Sequence, residues 1–377
     1  MRPAASRLVV GLALGWLAAC GVLADPAPQR SAPTRPGGLV PAPALAPAPA
    51  SRSASTNTPS ARRRGRADLV SVVEMAATLG LKGAWTEPGH RFTLSDGARR
   101  IELEANSREV SVNRMRVFLG EPTVMRGGRL CVSRTDFEAC LEPILQPALL
   151  EALPPRPRVI ALDPGHGGID NGMQNPRLGL KEKVLTLDVA FRLKKLLEAA
   201  GYQVVLTRKD DRAFSTEKKI DLPMRAQVAN RAHADLFVSI HFNSLFPDTK
   251  ISGTEVYVYT PSGQRSTSSW GTGEADDTRT DAAPVNRFNA WSSLLADRMH
   301  RAVLIRLKTV DRGQKTKHLL ALQDLECPAI LVESVFLSND AEARRAATPE
   351  FRQQIASALA AGIDDYANLL DSLRPKP

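Results

Sequence analysis

The chain has 377 residues, 43% of them hydrophobic, with 50 basic against 40 acidic residues and a formal net charge of +10. That length exceeds one ordinary domain and fits two with extra segments. Four cysteines without a C-x-x-C pair exclude a thioredoxin-like site and a zinc ribbon. A basic balance suits nucleic acid in a cytosolic protein. The amino-terminal segment implies export instead, which excludes nucleic acid and redirects the charge to anionic wall polymers or lipid headgroups.

Arg2 and Arg7 accompany an apolar stretch, Leu8 to Ala19, too short to span a bilayer. It ends "LAAC", with Gly21 after Cys20. This resembles the lipobox of bacterial lipoproteins, in which the cysteine is lipidated and becomes the new N-terminus. The resemblance implies a signal over 1–20 and membrane anchoring through Cys20. Plain secretion with cleavage after "VLA" is the alternative. Both place the mature protein in the periplasm or cell envelope. Residues 21–66 are rich in Pro, Ala and Ser without apolar periodicity, so a disordered, partly polyproline linker is expected, with "ARRRGR" as its solvated end.

Residues 67–146 read as a small α+β domain. "LVSVVEMAATLG" predicts a helix with Val70, Val73 and Ala77 on one face and Gly80 as its stop. "RFTLS", "RRIELEA" and "REVSVNRMRV" predict strands, the last with a turn at Asn113-Arg114. "GGRLCVSRTDFEACLEPIL" reads as a strand running into a helix. Cys131 and Cys140 are close enough in sequence to pair in an oxidising compartment, and Cys327 is expected to be buried. The segment resembles the small N-terminal-type domain named from copper amine oxidases and reused in exported bacterial wall proteins. His90 is its only histidine, so no copper site is implied, and the expected role is a spacer or wall-binding module.

Over 155–372, apolar β-rich runs alternate with helical patterns. "RVIALD", "YQVVLTR", "ADLFVSIH", "GTEVYVYT" and "PAILVES" predict strands; 182–200, 223–233, 288–308 and 349–371 predict helices. This alternation predicts an α/β domain with a mostly parallel, twisted sheet flanked by helices. Leu185, Val189, Leu193, Leu196 and Ala200 fall on one face of the first helix, which Gly201 closes. The segment 261–284 is polar and patternless and is expected to be a disordered surface loop, with a flap near the site as the alternative.

His166 follows the first strand of this region, His241 ends "LFVSIH", Glu333 ends "AILVE" and Glu182 opens the first helix. Ligands of open parallel sheets bind at the carboxyl ends of the strands, so these residues are expected to converge on one edge. Two histidines and a carboxylate with an open fourth position form the donor set of catalytic zinc, which His166, Glu182 and His241 would supply. A further carboxylate is needed to carry the proton to the leaving nitrogen, and Glu333 is the candidate. Asp163 either orients His166 or simply forms the Asp-Pro turn. No H-E-x-x-H or G-x-S-x-G occurs, which removes thermolysin-type and serine-hydrolase readings. His90, His233, His300 and His318 read as structural or surface residues.

The stretches "IALDPGHGGIDNG", "GLKEKVLTLDVAFRLKKLLEAAGYQVVLTRKDD", "MRAQVANRAHADLFVSIHFNS", "GTEVYVY" and "CPAILVESVFLSND" resemble, in order, the zinc-dependent N-acetylmuramoyl-L-alanine amidases that cut peptidoglycan. The resemblance covers nearly all of 156–370. It implies zinc held by His166, Glu182 and His241, with Glu333 catalytic and peptidoglycan as substrate. Phe242 and Val335 stand where the family often has smaller residues, which puts substrate fit in doubt. Some relatives carry a helical insertion that plugs the zinc until a partner removes it; 261–284 lacks an amphipathic helix, and no activator is specified. The alternatives are a zinc peptidase acting on another wall peptide bond and a non-catalytic wall-binding lipoprotein.

Overall fold

The computed structural model describes residues 68–150, 152–267 and 287–375. The expected signal, Cys20, the linker 21–66 and the polar segment beyond Thr267 lie outside them. The described residues fall within one compact unit, Arg63–Pro377.

β1 (Leu69–Ser71) passes directly into α1 (Val72–Leu79). Ser71 and Glu74 form a reciprocal capping box, and Gly80, at φ +66°, ends the helix. The cap starts the helix after Ser71, which sets its phase. The buried face is Val72, Met75, Ala76 and Leu79, whereas Val73 is 56% exposed and Ala77 also faces solvent. The expected face of Val70, Val73 and Ala77 is therefore corrected, since Val70 belongs to the strand.

An antiparallel meander follows: β2 (Lys82–Glu87), β3 (Arg91–Ser95), β4 (Arg100–Glu104), β5 (Glu109–Val112) and β6 (Met115–Phe118). Asn113 and Arg114 both take positive φ between β5 and β6, the geometry that suits the right-handed twist of a hairpin. β7 (Val124–Arg126) and β8 (Arg129–Ser133) form a hairpin that pairs with β1. The chain then turns through α2 (Arg134–Asp136), a π-helical turn at Phe137–Leu141 and α3 (Glu142–Leu145). Cys131, Cys140 and Cys327 are free, buried thiols. The Cys131–Cys140 pairing that the sequence left open is not made: one residue lies on β8 and the other in the helical turn, and both are buried.

The second half runs β9 (Val159–Pro164), β10 (Gln174–Asn175), β11 (Leu180–Lys181), α4 (Glu182–Ala199), β12 (Gln203–Leu206), α5 (Lys218–Arg231), β13 (Leu236–Asn243) and β14 (Thr254–Tyr259). It continues with α6 (Asn289–Leu307), β15 (Asp311–Lys317), α7 (Leu320–Gln323), β16 (Ala329–Phe336), α8 (Asp340–Ala347) and α9 (Pro349–Ser372). On α4, Leu185, Val189 and Leu193 are buried as expected, but Leu197 rather than Ala200 completes the inner face.

Among the described residues, eleven of these strands join in one sheet, ordered β12-β9-β13-β16-β14-β15-β6-β5-β4-β3-β2, while β1-β8-β7 and β10-β11 form two smaller ones. β12, β9, β13 and β16 are parallel, and β14 runs antiparallel to β16 but parallel to β15. β6 pairs with β15 at Val117 and Gln314, so the small domain continues the sheet of the larger one. α4, α6 and α9 bury a common apolar core that includes Val189, Leu193, Met299, Ile355 and Leu359. Each such side chain removed from water stabilises the fold by about 1.5–3 kcal/mol. The parallel arrangement brings the carboxyl ends of β9, β13 and β16 to one edge.

Candidate metal centre

β9 ends at Pro164, and His166 follows in a left-handed conformation, φ +64°. A non-glycine residue held there costs on the order of 1–3 kcal/mol, and it persists only where its surroundings over-determine it. Two arginines do so. Arg225, on α5 and 2% exposed, donates Nη2 to the His166 carbonyl (2.8 Å) and Nη1 to the Pro164 carbonyl (3.1 Å). Its charge is met by Asp163 and Asp221, each at 2.9 Å. Arg208, just past β12, donates to the carbonyls of Pro164, Gly165 and Lys183 at 2.7–3.0 Å. A side chain at Gly165 would place its Cβ 2.2 Å from His241 Cε1, and one at Gly172 would stand 2.5 Å from Glu182 Oε2. Glycine at both positions lets the loop close over the imidazoles.

Glu182 opens α4 and is 3% exposed. Its Oε2 lies 3.0 Å from His166 Nε2 and its Oε1 3.0 Å from His241 Nδ1. It also accepts the Met173 N–H (2.8 Å) and the Phe242 N–H (3.0 Å). Donor atoms of His166, Glu182 and His241 all lie within 4.8 Å of one another. The three residues line a cleft of about 630 Å³ with Glu333, Lys218, Lys317, Leu319, Leu320 and Ala321. Two imidazoles and a carboxylate, collected in a buried corner with one side on a cleft, fit a zinc ion by number and chemistry.

Burial works to raise the Glu182 carboxyl, but the two histidines outweigh it and hold the group well below the usual carboxylate range. Burial likewise opposes protonation of His166, and Glu182 with Asp170 raises it nonetheless. Glu333 behaves in the opposite way. It sits on β16 in register with His241 on one side and Glu255 on the other. Its Oε2 is enclosed without a hydrogen-bond partner. Burial first, then the charges of Glu182 and Glu255, pushes its carboxyl well above the usual range, while Lys317 opposes the rise. Two carboxyl groups of one cleft are thus driven apart, one held ionised and the other poised to hold a proton.

The four expected site residues converge. Asp163 does not reach the His166 ring: its carboxylate is taken by Thr207, Ser239 and Arg225. The acid at His166 is Asp170, with Oδ2 3.0 Å from Nδ1 and 3.1 Å from Lys218 Nζ. His166 salt-bridges lower Asp170 to about 2 against the cost of its burial. Sequence reasoning missed Asp170, Arg225 and Arg208. Asp170 stands four residues after His166, and Arg225 stands four residues after Asp221 at helical spacing, which are the signals that were present. His300 pairs with Asp311 at 2.7 Å, His318 Nδ1 lies 3.2 Å from Ser266 Oγ and His90 meets Glu87 at the surface. None of these, nor His233, lines the cleft. Phe242 does line it, whereas Val335 is fully buried in the core.

Arg225→Lys keeps the charge but loses the planar fork that holds His166. Zinc affinity is expected to fall by about 10–100-fold, as for other groups supporting a metal ligand from behind. Competition with a chromogenic chelator reads this directly; unchanged affinity would remove Arg225 from the support of the site.

The profile of the family described as N-acetylmuramoyl-L-alanine amidase matches residues 160–365, and that of the copper amine oxidase N-terminal domain matches residues 58–142. The germination-specific N-acetylmuramoyl-L-alanine amidase of Bacillus subtilis is 30% identical over 57% of this chain and 82% of its own length. The N-acetylmuramoyl-L-alanine amidase AmiC of Neisseria meningitidis is 32% identical over 56% of this chain and 53% of its own length, so this chain spans about half of that relative. The solved structure of the amidase AmiC2 of Nostoc punctiforme aligns at 30% identity over 56% of this chain and 97% of that one, with a TM-score of 0.44.

Proposed function

Because the chain belongs to the N-acetylmuramoyl-L-alanine amidase family, we propose that it hydrolyses the amide between the lactyl group of N-acetylmuramic acid and L-alanine in peptidoglycan, with zinc as its metal. His166, Glu182 and His241 would hold the ion, and Glu333 would carry the proton. The observation that carries this reading is the pairing of a three-donor corner with an enclosed, unpartnered Glu333 Oε2 on one cleft.

Zinc, when bound, supplies Lewis-acid polarisation of a carbonyl and lowers the pKa of water to roughly 7. The chain does the rest. Glu182, fixed by two backbone N–H groups, keeps both imidazoles turned to one point. Asp170 orients the His166 ring from behind, and Arg225 and Arg208 keep its backbone in place. Glu333, raised by its burial and by Glu182 and Glu255, would ionise when a cation held by His166, Glu182 and His241 offsets those charges. The Glu333 carboxylate would accept the proton of the attacking water and pass it to the alanine nitrogen as the C–N bond breaks. The products are a muramoyl carboxylate and a peptide with a free alanine amine.

The cell envelope is the location that goes with this chemistry. The "LAAC" segment is read as an export signal with a lipidated Cys20, and the Pro/Ala/Ser stretch as the tether. Digestion of purified peptidoglycan by the full chain is expected to release stem peptides with free L-alanine amino ends, seen by mass spectrometry, and chelator should stop it. Cleavage within the peptide would favour a wall peptidase. Zinc binding without any cleavage would favour a wall-binding protein.

A further inference from the structure

We propose that the small N-terminal domain is a positioning element of the cleft: it holds the wall Lys317–Ala321 in place through a strap formed by Gln264–Thr267. The proposal rests on the reading of that cleft as the substrate site.

The strap was expected to begin a surface loop. Instead Gln264 is 4%, Ser266 4% and Thr267 5% exposed. It is bonded on two sides. From the small domain, Arg108 donates Nη2 to the Ser266 carbonyl (2.9 Å) and Nε to the Leu119 carbonyl (3.0 Å). Gln264 Nε2 donates to Ser133 Oγ (3.4 Å), and its side chain also reaches Asp136. Asp136 in turn accepts from Gly120 N (2.6 Å), Glu121 N (3.1 Å) and Ser133 Oγ (2.6 Å), which fixes the surface on which the strap lies. Gly120 is glycine for a reason of space: a Cβ there would stand 2.8 Å from Gln264 Cδ.

From the other side the strap holds the end of β15. Thr267 N–H donates to the Thr316 carbonyl (2.9 Å), and Thr316 N–H donates to Thr267 Oγ1 (2.8 Å). His318 N–H donates to Ser266 Oγ (3.2 Å). The chain then runs into Leu319, Leu320 and Ala321, which with Lys317 line the cleft. The small domain also grips the start of β15. Arg116 N–H donates to Asp311 Oδ2 (2.9 Å), and Val117 pairs with Gln314. Between these points Lys315 Nζ lies 5.3 Å from the Phe118 ring centre and 2.8 Å from Glu255 Oε1. Both ends of the strand that feeds the wall are therefore anchored by residues 108–136.

A wall set this way holds the part of the substrate that does not react, a contact equal in ground and transition state, so its loosening raises KM and leaves kcat nearly unchanged. Arg108 and Gly120 are positioning residues and touch no reacting atom. The test compares the full chain with Arg108→Ala, Gly120→Val and Arg108→Lys, using a soluble muropeptide for kinetics. Hydrogen exchange of residues 316–321 gives a second, activity-independent readout. Arg108→Ala and Gly120→Val are expected to speed exchange at 316–321 and to raise KM about tenfold or more. Zinc should stay at one per chain and kcat within about twofold, and Arg108→Lys should recover most of the KM. Unchanged exchange at 316–321, or loosened exchange with unchanged KM, overturns the proposal. If the parent chain itself cleaves nothing, the amidase reading fails, while the exchange data still decide whether the small domain holds the wall. If Gly120→Val does not fold, the pair Arg108→Ala and Arg108→Lys carries the test alone.

Discussion

Glu333→Gln is expected to lower kcat for peptidoglycan hydrolysis by about 10²–10⁴-fold, the range removed when a positioned proton carrier is lost. The amide is nearly isosteric but cannot take a proton from water at neutral pH. Zinc content should remain at one per chain, because Glu333 is not among the three clustered donors. Stability should not fall. The enclosed Glu333 Oε2 has no hydrogen bond to lose, and its carboxyl is disfavoured by burial and by Glu182 and Glu255. A variant that is inactive, zinc-loaded and at least as thermostable as the parent separates a chemical role from a structural one. Retention of more than a tenth of the parent kcat would assign the proton to another group.

Glu182→Ala should be the most damaging single change. It removes one of three metal donors and also the acceptor for Met173 N–H and Phe242 N–H. In chelator, leaving the buried Phe242 N–H unsatisfied costs about 1–3 kcal/mol, and the half-buried Met173 N–H costs less. In zinc, the parent gains a further stabilisation that the variant does not: about 4 kcal/mol when free zinc is a thousandfold above Kd. The gap between parent and variant melting temperatures should therefore widen on adding zinc. An equal gap with and without the ion would mean that the corner binds no metal in the parent. Activity of the variant should be at background.

Much of the catalytic half was legible because its elements carry strong patterns. α4 shows an apolar spacing that packing then uses, and β9, β13 and β16 open with apolar runs, after which come His166 just beyond β9, His241 within β13 and Glu333 within β16. Strand direction brings His241 and Glu333 to one edge, whereas His166 and Glu182 also depend on the loop after β9 and the start of α4. What failed had physical causes. The face of α1 was misjudged because the Ser71 cap, rather than the run of valines, sets its phase. Asp170 went unread because a left-handed His166 aims its ring where residue spacing along a strand does not foretell. β15 went unread because its sequence "DRGQKTK" is polar; its side chains are matched by partners such as Glu255 rather than by a core. The junction of the two domains was invisible for a related reason, since its contacts join residues remote in sequence.

That remoteness has a consequence for how the chain is made. Arg116 and the Asp311 it meets are 195 positions apart. The meander ending in β6 is complete early, and one edge of it stays open until β15 emerges. An open strand edge invites pairing with a neighbouring nascent copy. Arg116 lies inside that four-residue strand, where a charge discourages such pairing, and later serves as the anchor for β15. The edge that is open while the chain is incomplete is thus the one that β15 closes, with the Arg116 backbone N–H on the Asp311 carboxylate and its guanidinium on the Asp311 carbonyl.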